Sequence, residues 1–68
     1  MSDWQRVYSD TLEYRADIVV AVLIDKNIQA VKVNKKDTTY QIGQFEVHVT
    51  TDQVVRALKI INDDIQFN

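Results

Sequence analysis

The sequence predicts a small α+β fold in the order strand, helix, strand, strand, helix. Three observations carry that expectation. Apolar residues recur at a helical 4-3-4 spacing from Leu12 to Leu23, and apolar and polar residues alternate strictly from Phe45 to Thr50. A polar stretch from Asn34 to Gly43 separates two segments of strand character that would otherwise pair directly.

Trp4 to Tyr8 combines aromatic and β-branched residues and is closed by Ser9, Asp10 and Thr11, so it is expected to be a short first strand. Asp10 followed by Glu13 has the capping-box spacing, which places the first helix start near Thr11. Leu12, Ala16, Val19 and Leu23 share one helical face. Asn27 suits a left-handed terminator, so the helix is expected to end near Lys26. Gln29 to Asn34 is the second strand, with Val31 and Val33 expected on one side and Ala30 and Lys32 on the other. Phe45, Val47 and Val49 alternate with Glu46, His48 and Thr50 as a half-buried third strand. Thr50 with Gln53 repeats the capping-box spacing. Val54, Leu58 and Ile61 then form the inward stripe of a second helix, ended by Asp63 and Asp64. Ile65 to Phe67 is either a short fourth strand or a frayed tail.

Assembled, Val31, Val33, Phe45, Val47 and Val49 would line one sheet face beneath both helices, with a right-handed first crossover. That is the ferredoxin-like β-α-β-β-α(-β) plan: an antiparallel sheet, two helices on one face, and a last strand that is short or absent.

The 68 residues are expected to form a single domain, 1–68, near the size at which one core is marginal. The apolar fraction is 46%, with one Gly, no Pro and no Cys, so neither disulfides nor thiolate-bound metal can staple the fold. A homo-oligomer is therefore expected. A net charge of −2, without a long block of one sign, argues against nucleic-acid binding through a basic surface. No apolar run approaches the ~20 residues that cross a bilayer, and the N-terminus lacks a signal-peptide core. The expected setting is cytoplasmic, with no membrane partner. No cofactor is expected, because the chain has neither a glycine-rich phosphate loop nor a Cys pair. His48 is the single histidine; catalysis or metal binding would require partners for it.

Three surfaces are candidates for function. On the first helix, Tyr14, Ile18 and Val22 form a second apolar stripe, which either widens the core face or makes a subunit contact. The sheet face opposite the helices would carry Glu46, His48 and Lys32, with either Trp4, Arg6 and Tyr8 or Gln5 and Val7 from the first strand. The stretch from Asn34 to Gly43 exceeds a tight hairpin loop and gathers Lys35, Lys36, Asp37, Thr38 and Tyr40 with the single Gly. Lysines and hydroxyls suit phosphate or carboxylate oxygens. Asp37 and Thr38 equally suit a turn closed through the backbone.

Asn34-Lys35-Lys36-Asp37, then Tyr40, Gly43 and Phe45-Glu46-Val47-His48-Val49, resembles the signature of the small "prokaryotic signal transducing protein" domain family. The opening Trp4-Gln5-Arg6-Val7-Tyr8-Ser9 and the segment around Asn27 and Ala30 are similar too, so the likeness covers nearly the whole chain. The resemblance implies a ferredoxin-like fold related to the nitrogen-regulatory PII proteins, and a bacterial origin. PII proteins are trimers that bind nucleotide and 2-oxoglutarate near the loop joining their second and third strands, the position of Asn34 to Gly43 here. The expected function is a non-enzymatic regulatory module that binds a small anionic ligand or a protein partner through that loop. The alternative is a ligand-free homo-oligomeric interaction module.

Overall fold

Five elements form in the expected order. The computed structural model describes residues 3–37 and 42–65. Its elements are β1 (Trp4–Asp10), α1 (Glu13–Asp25), β2 (Ala30–Asp37), β3 (Ile42–Thr50) and α2 (Val54–Asp64), the last entered through a 3-10 turn over Thr51–Gln53. The strands make an antiparallel sheet in the order β1-β3-β2. β1 and β2 thus run parallel with β3 between them, a split β-α-β unit. Ala16, Val19 and Leu23 of α1 and Ala57 of α2 share one core with Val47 and Val49, so both helices cover the same sheet face. This is the ferredoxin-like plan with three strands among the described residues. Ile65 packs against the core, whereas Phe67 of the expected strand or tail lies outside the described residues. No helix among them is long and apolar enough to cross a membrane.

β1 runs through Ser9 and Asp10, residues whose polarity suggested an end. A bulge at Val7 interrupts its ladder with β3: Arg6 lies across from His48, but Tyr8 lies across from Val47. The extra residue turns Tyr8 and Asp10 to the helix side while Trp4 and Arg6 stay on the open side. The expected capping box does not form. Asp10 Oδ1 instead accepts the Leu12 N–H at 3.0 Å, and Oδ2 accepts the Tyr8 hydroxyl at 2.6 Å beside the Arg15 guanidinium at 3.6 Å. Burial, reinforced by that hydrogen bond to Asp10, pushes the Tyr8 phenol up to about 12. Because the carboxylate is committed to this junction, α1 begins at Glu13 and Leu12 is exposed rather than inward.

The capping box expected at Thr50 and Gln53 is also absent. Thr51 takes over: its N–H and its hydroxyl both donate to the Asp3 carbonyl, at 3.0 and 3.1 Å, which ties the entry of α2 to the start of β1. The intervening 3-10 turn advances 120° per residue rather than 100°, which rotates the face that α2 presents. Ala57 becomes its buried centre, flanked by Val54, Ile60 and Ile61, and Leu58 is exposed instead of inward. Arg56 Nη2 donates to the Lys26 carbonyl at 3.1 Å, setting the start of α2 beside the end of α1.

α1 ends as its Asn suggested. Asn27 has φ 66°, and two hydrogen bonds close the turn: Asn27 N–H to the Ile24 carbonyl and Ile28 N–H to the Leu23 carbonyl, both 3.0 Å. This is a Schellman closure, and it drops Ile28 into the core beside Leu23. From a buried Ile28, alternation puts Ala30, Lys32 and Asn34 on the helix side. They lie across from Val49, Val47 and Phe45. Val31 and Val33 consequently face the open side, the reverse of the expected orientation. Lys32 reaches out from beneath α1, its ammonium 5.9 Å from the Phe45 ring centroid and 2.7 Å from both Glu13 and Asp17. Asn27→Ala is expected to cost roughly 1 kcal/mol, because a Cβ disfavours positive φ, while Asn27→Gly should change stability by only a few tenths. Urea unfolding followed by circular dichroism measures both.

Candidate functional site

The sheet face turned away from the helices is built on Glu46 and His48 of β3, which project opposite to Val47 and Val49. Arg6 and Val31 flank His48, Ser9 and Val33 flank Glu46, and Lys35 lies across from Gln44. The first strand therefore contributes its Trp4 and Arg6 side up to the bulge. Tyr8 and Lys32 do not join this face, the first because of the bulge and the second because of the parity of β2.

At the centre of the face a carboxylate is sunk. The Glu46 side chain is only 8% exposed. Its Oε2 accepts Arg6 Nη1 at 3.1 Å, its Oε1 lies 2.9 Å from His48 Nε2, and Lys35 Nζ stands 4.0 Å from Oε1. Because an ionised carboxylate can only accept, the His48 proton sits on Nε2. Removing a carboxylate from water is costly unless it is paired and hydrogen-bonded, and these three groups supply the compensation. The hydrogen bond from His48 holds the Glu46 carboxyl below its ordinary value; burial opposes the effect, and Arg6 and Lys35 add to it.

The expected site loop is largely strand. Asn34, Lys35, Lys36 and Asp37 belong to β2 and Gly43 to β3, with Lys36 paired to Gly43 and Asp37 to Ile42. Backbone pairing needs no apolar side chains, so the ladder continues after the alternating pattern lapses at the exposed Asn34 and Lys35. Thr38 and Tyr40 lie outside the described residues. The hairpin and the open face are nevertheless joined at Lys35, which is rooted in the former and reaches Glu46 in the latter. On α1, Tyr14 and Ile18 are exposed and Val22 is half-buried.

A groove of about 460 Å³ went unread in the sequence. It is lined by Trp4, Ile24, Asn27, Ile28, Gln29, Ala30 and Val31. Its apolar lining exists because Val31 faces outward, and the signal that could have revealed it was Asn27 followed directly by Ile28. Among the described residues no cluster of His, Cys, Asp or Glu could hold a metal ion.

Fold and site together define a small α+β domain of β-α-β-β-α order with one sheet face uncovered among the described residues. Comparisons with protein-family models, curated proteins and solved structures give no match.

The low pKa of Glu46 makes a pH dependence explicit. Its pairing contributes stability that is fully present above the ordinary value of 4.5 and is lost as pH falls through the lower folded-state value. Glu46→Gln should therefore be less stable than the wild type at neutral pH, with the gap closing as pH is taken well below 4.5. Urea unfolding of both proteins across that range checks this; a gap independent of pH would remove the charge from the explanation.

Proposed function

We propose that this chain is a non-enzymatic regulatory module that works by binding, with the open sheet face and the root of the β2–β3 hairpin as its contact surface. The observation that carries this reading is the depth order of the charges. Glu46 is sunk, while the Arg6 and Lys35 side chains that neutralise it stand 60% and 63% exposed. An approaching group meets a guanidinium and an ammonium before it meets the carboxylate. Such a surface favours an anionic group, carboxylate or phosphate, on a small ligand or on an acidic partner segment. The groove beside Trp4 and Val31 suits an apolar body attached to that anion. His48 donates its Nε2 proton to Glu46 and so helps hold the carboxylate in place.

The resemblance to the small prokaryotic signal-transducing family supports the same reading and brings with it a bacterial cytoplasmic setting. In that comparison the β2–β3 hairpin corresponds to the ligand-proximal loop of the PII proteins, and Lys35 stands at its root. A second reading, a ligand-free homo-oligomeric interaction module, is favoured by the outward position of Tyr14 and Ile18.

Thermal-shift screening against nucleotides, amino acids, oxo-acids and aromatic carboxylates tests the first reading. A binding anion raises Tm by several degrees at saturating concentration, and Lys35→Ala and Arg6→Gln are expected to abolish the rise. No shift with any anion would defeat the ligand reading and leave the second.

A further inference from the structure

α1 contains seven consecutive apolar residues, Ile18 to Ile24. A helix with one side against a sheet needs a single apolar stripe, and one that is apolar all round is ordinarily buried all round. Here Ala16, Val19 and Leu23 are buried against the core, yet Tyr14 and Ile18 are 57% and 43% exposed. At ~100° per residue the side opposite the core carries Tyr14, Ile18, Ala21 and Asp25 in one line, and Ala21 and Asp25 are exposed as well. The flanks are assigned. Glu13 and Asp17 face β2, since Lys32 binds both, and Val22 lies half-buried on the opposite flank.

We propose that this line is the contact between two copies of the chain, their α1 helices packed antiparallel about a twofold axis between Ile18 and Ala21. Its 4-3-4 spacing is that of a helix-pairing seam, and it reads the same in both directions, as a twofold contact requires. The antiparallel register sets Ile18 against Ala21 of the second copy and Tyr14 against Asp25 of the second copy, each twice. A large side chain meets a small one at the centre. At the ends, a hydrogen-bond donor meets an acceptor. Asp25 has no ion-pair or hydrogen-bond partner among the described residues. Across the seam it meets the exposed Tyr14 phenol. A parallel pairing would instead set Asp25 against Asp25.

A helix of 13 residues spans ~20 Å, so the contact is smaller than the ~800 Å² per partner of a standard interface. The dimer is expected to form in a concentration-dependent way. It leaves both open sheet faces clear, and it uses neither Arg6, Lys35 nor the groove, so it stands or falls separately from the ligand reading.

The chain has no cysteine, so introduced thiols report without background. An equimolar mixture of Ile18→Cys and Ala21→Cys chains is expected to give a disulfide-linked heterodimer under mild oxidation, and Val55→Cys paired with either is not. Sedimentation from about 10 to 500 μM, the range of weak interfaces, should show a monomer–dimer equilibrium for the wild type. Asp25→Lys and Ile18→Asp should each weaken it about tenfold or more, with circular dichroism unchanged. A wild type that stays monomeric throughout, a dimer indifferent to both substitutions, or thiols at Val55 that couple as well as those in the seam would each overturn the proposal.

Discussion

Two hydrogen bonds at the end of α1 decide which way the sheet faces. With Asn27 in the left-handed region, the Asn27 and Ile28 amides bond back to the Ile24 and Leu23 carbonyls, and Ile28 has nowhere to go but the core. Side chains alternate strictly along a strand. A buried Ile28 therefore commits Ala30 and Lys32 to the helix side and Val31 and Val33 to the open side. The groove owes its Val31 wall to that commitment, and α1 owes its Lys32 clasp to it. A one-residue slip at the turn would exchange the two faces of β2.

The same sheet solves a second problem with charge. A three-stranded sheet with helices on one side leaves its central strand bare on the other, and Glu46 occupies that strand. Arg6 and Lys35 come from opposite neighbours, so the carboxylate draws both edge strands toward β3. His48, two residues along the same strand, shares Oε1 with Lys35. The bulge at Val7 makes this possible without weakening the core: before it Arg6 serves the open face, and after it Tyr8 and Asp10 serve the junction with α1.

Element order, strand pairing and the position of Glu46 and His48 were legible in the sequence because each rests on local periodicity. The alternation of residues 45 to 50 specifies β3 by itself, and the 4-3-4 spacing finds the buried side of α1. The misread features depend on contacts distant in sequence. Valines at 31 and 33 look like core, but the turn before them sets their parity. Asp10 and Thr50 look like helix caps, yet Asp10 is claimed by Tyr8 and Arg15, and Thr51 reaches Asp3 across the fold. The 3-10 turn before α2 rotates Leu58 outward, which spacing alone could not anticipate. Polarity from Asn34 onward mimics a loop, because composition reports solvation and not whether a backbone is paired.

Among the described residues both outer strands, β1 and β2, have a neighbour on one side only, an arrangement that ordinarily invites fibrillar stacking. β2 carries the Lys35 side chain, 63% exposed. β1 is kinked by its bulge and holds Arg6 just before it. A flat cross-β approach thus meets a charged side chain at one rim and a bulge at the other, both of which disfavour edge pairing. Such edges favour a discrete domain over strand-by-strand stacking.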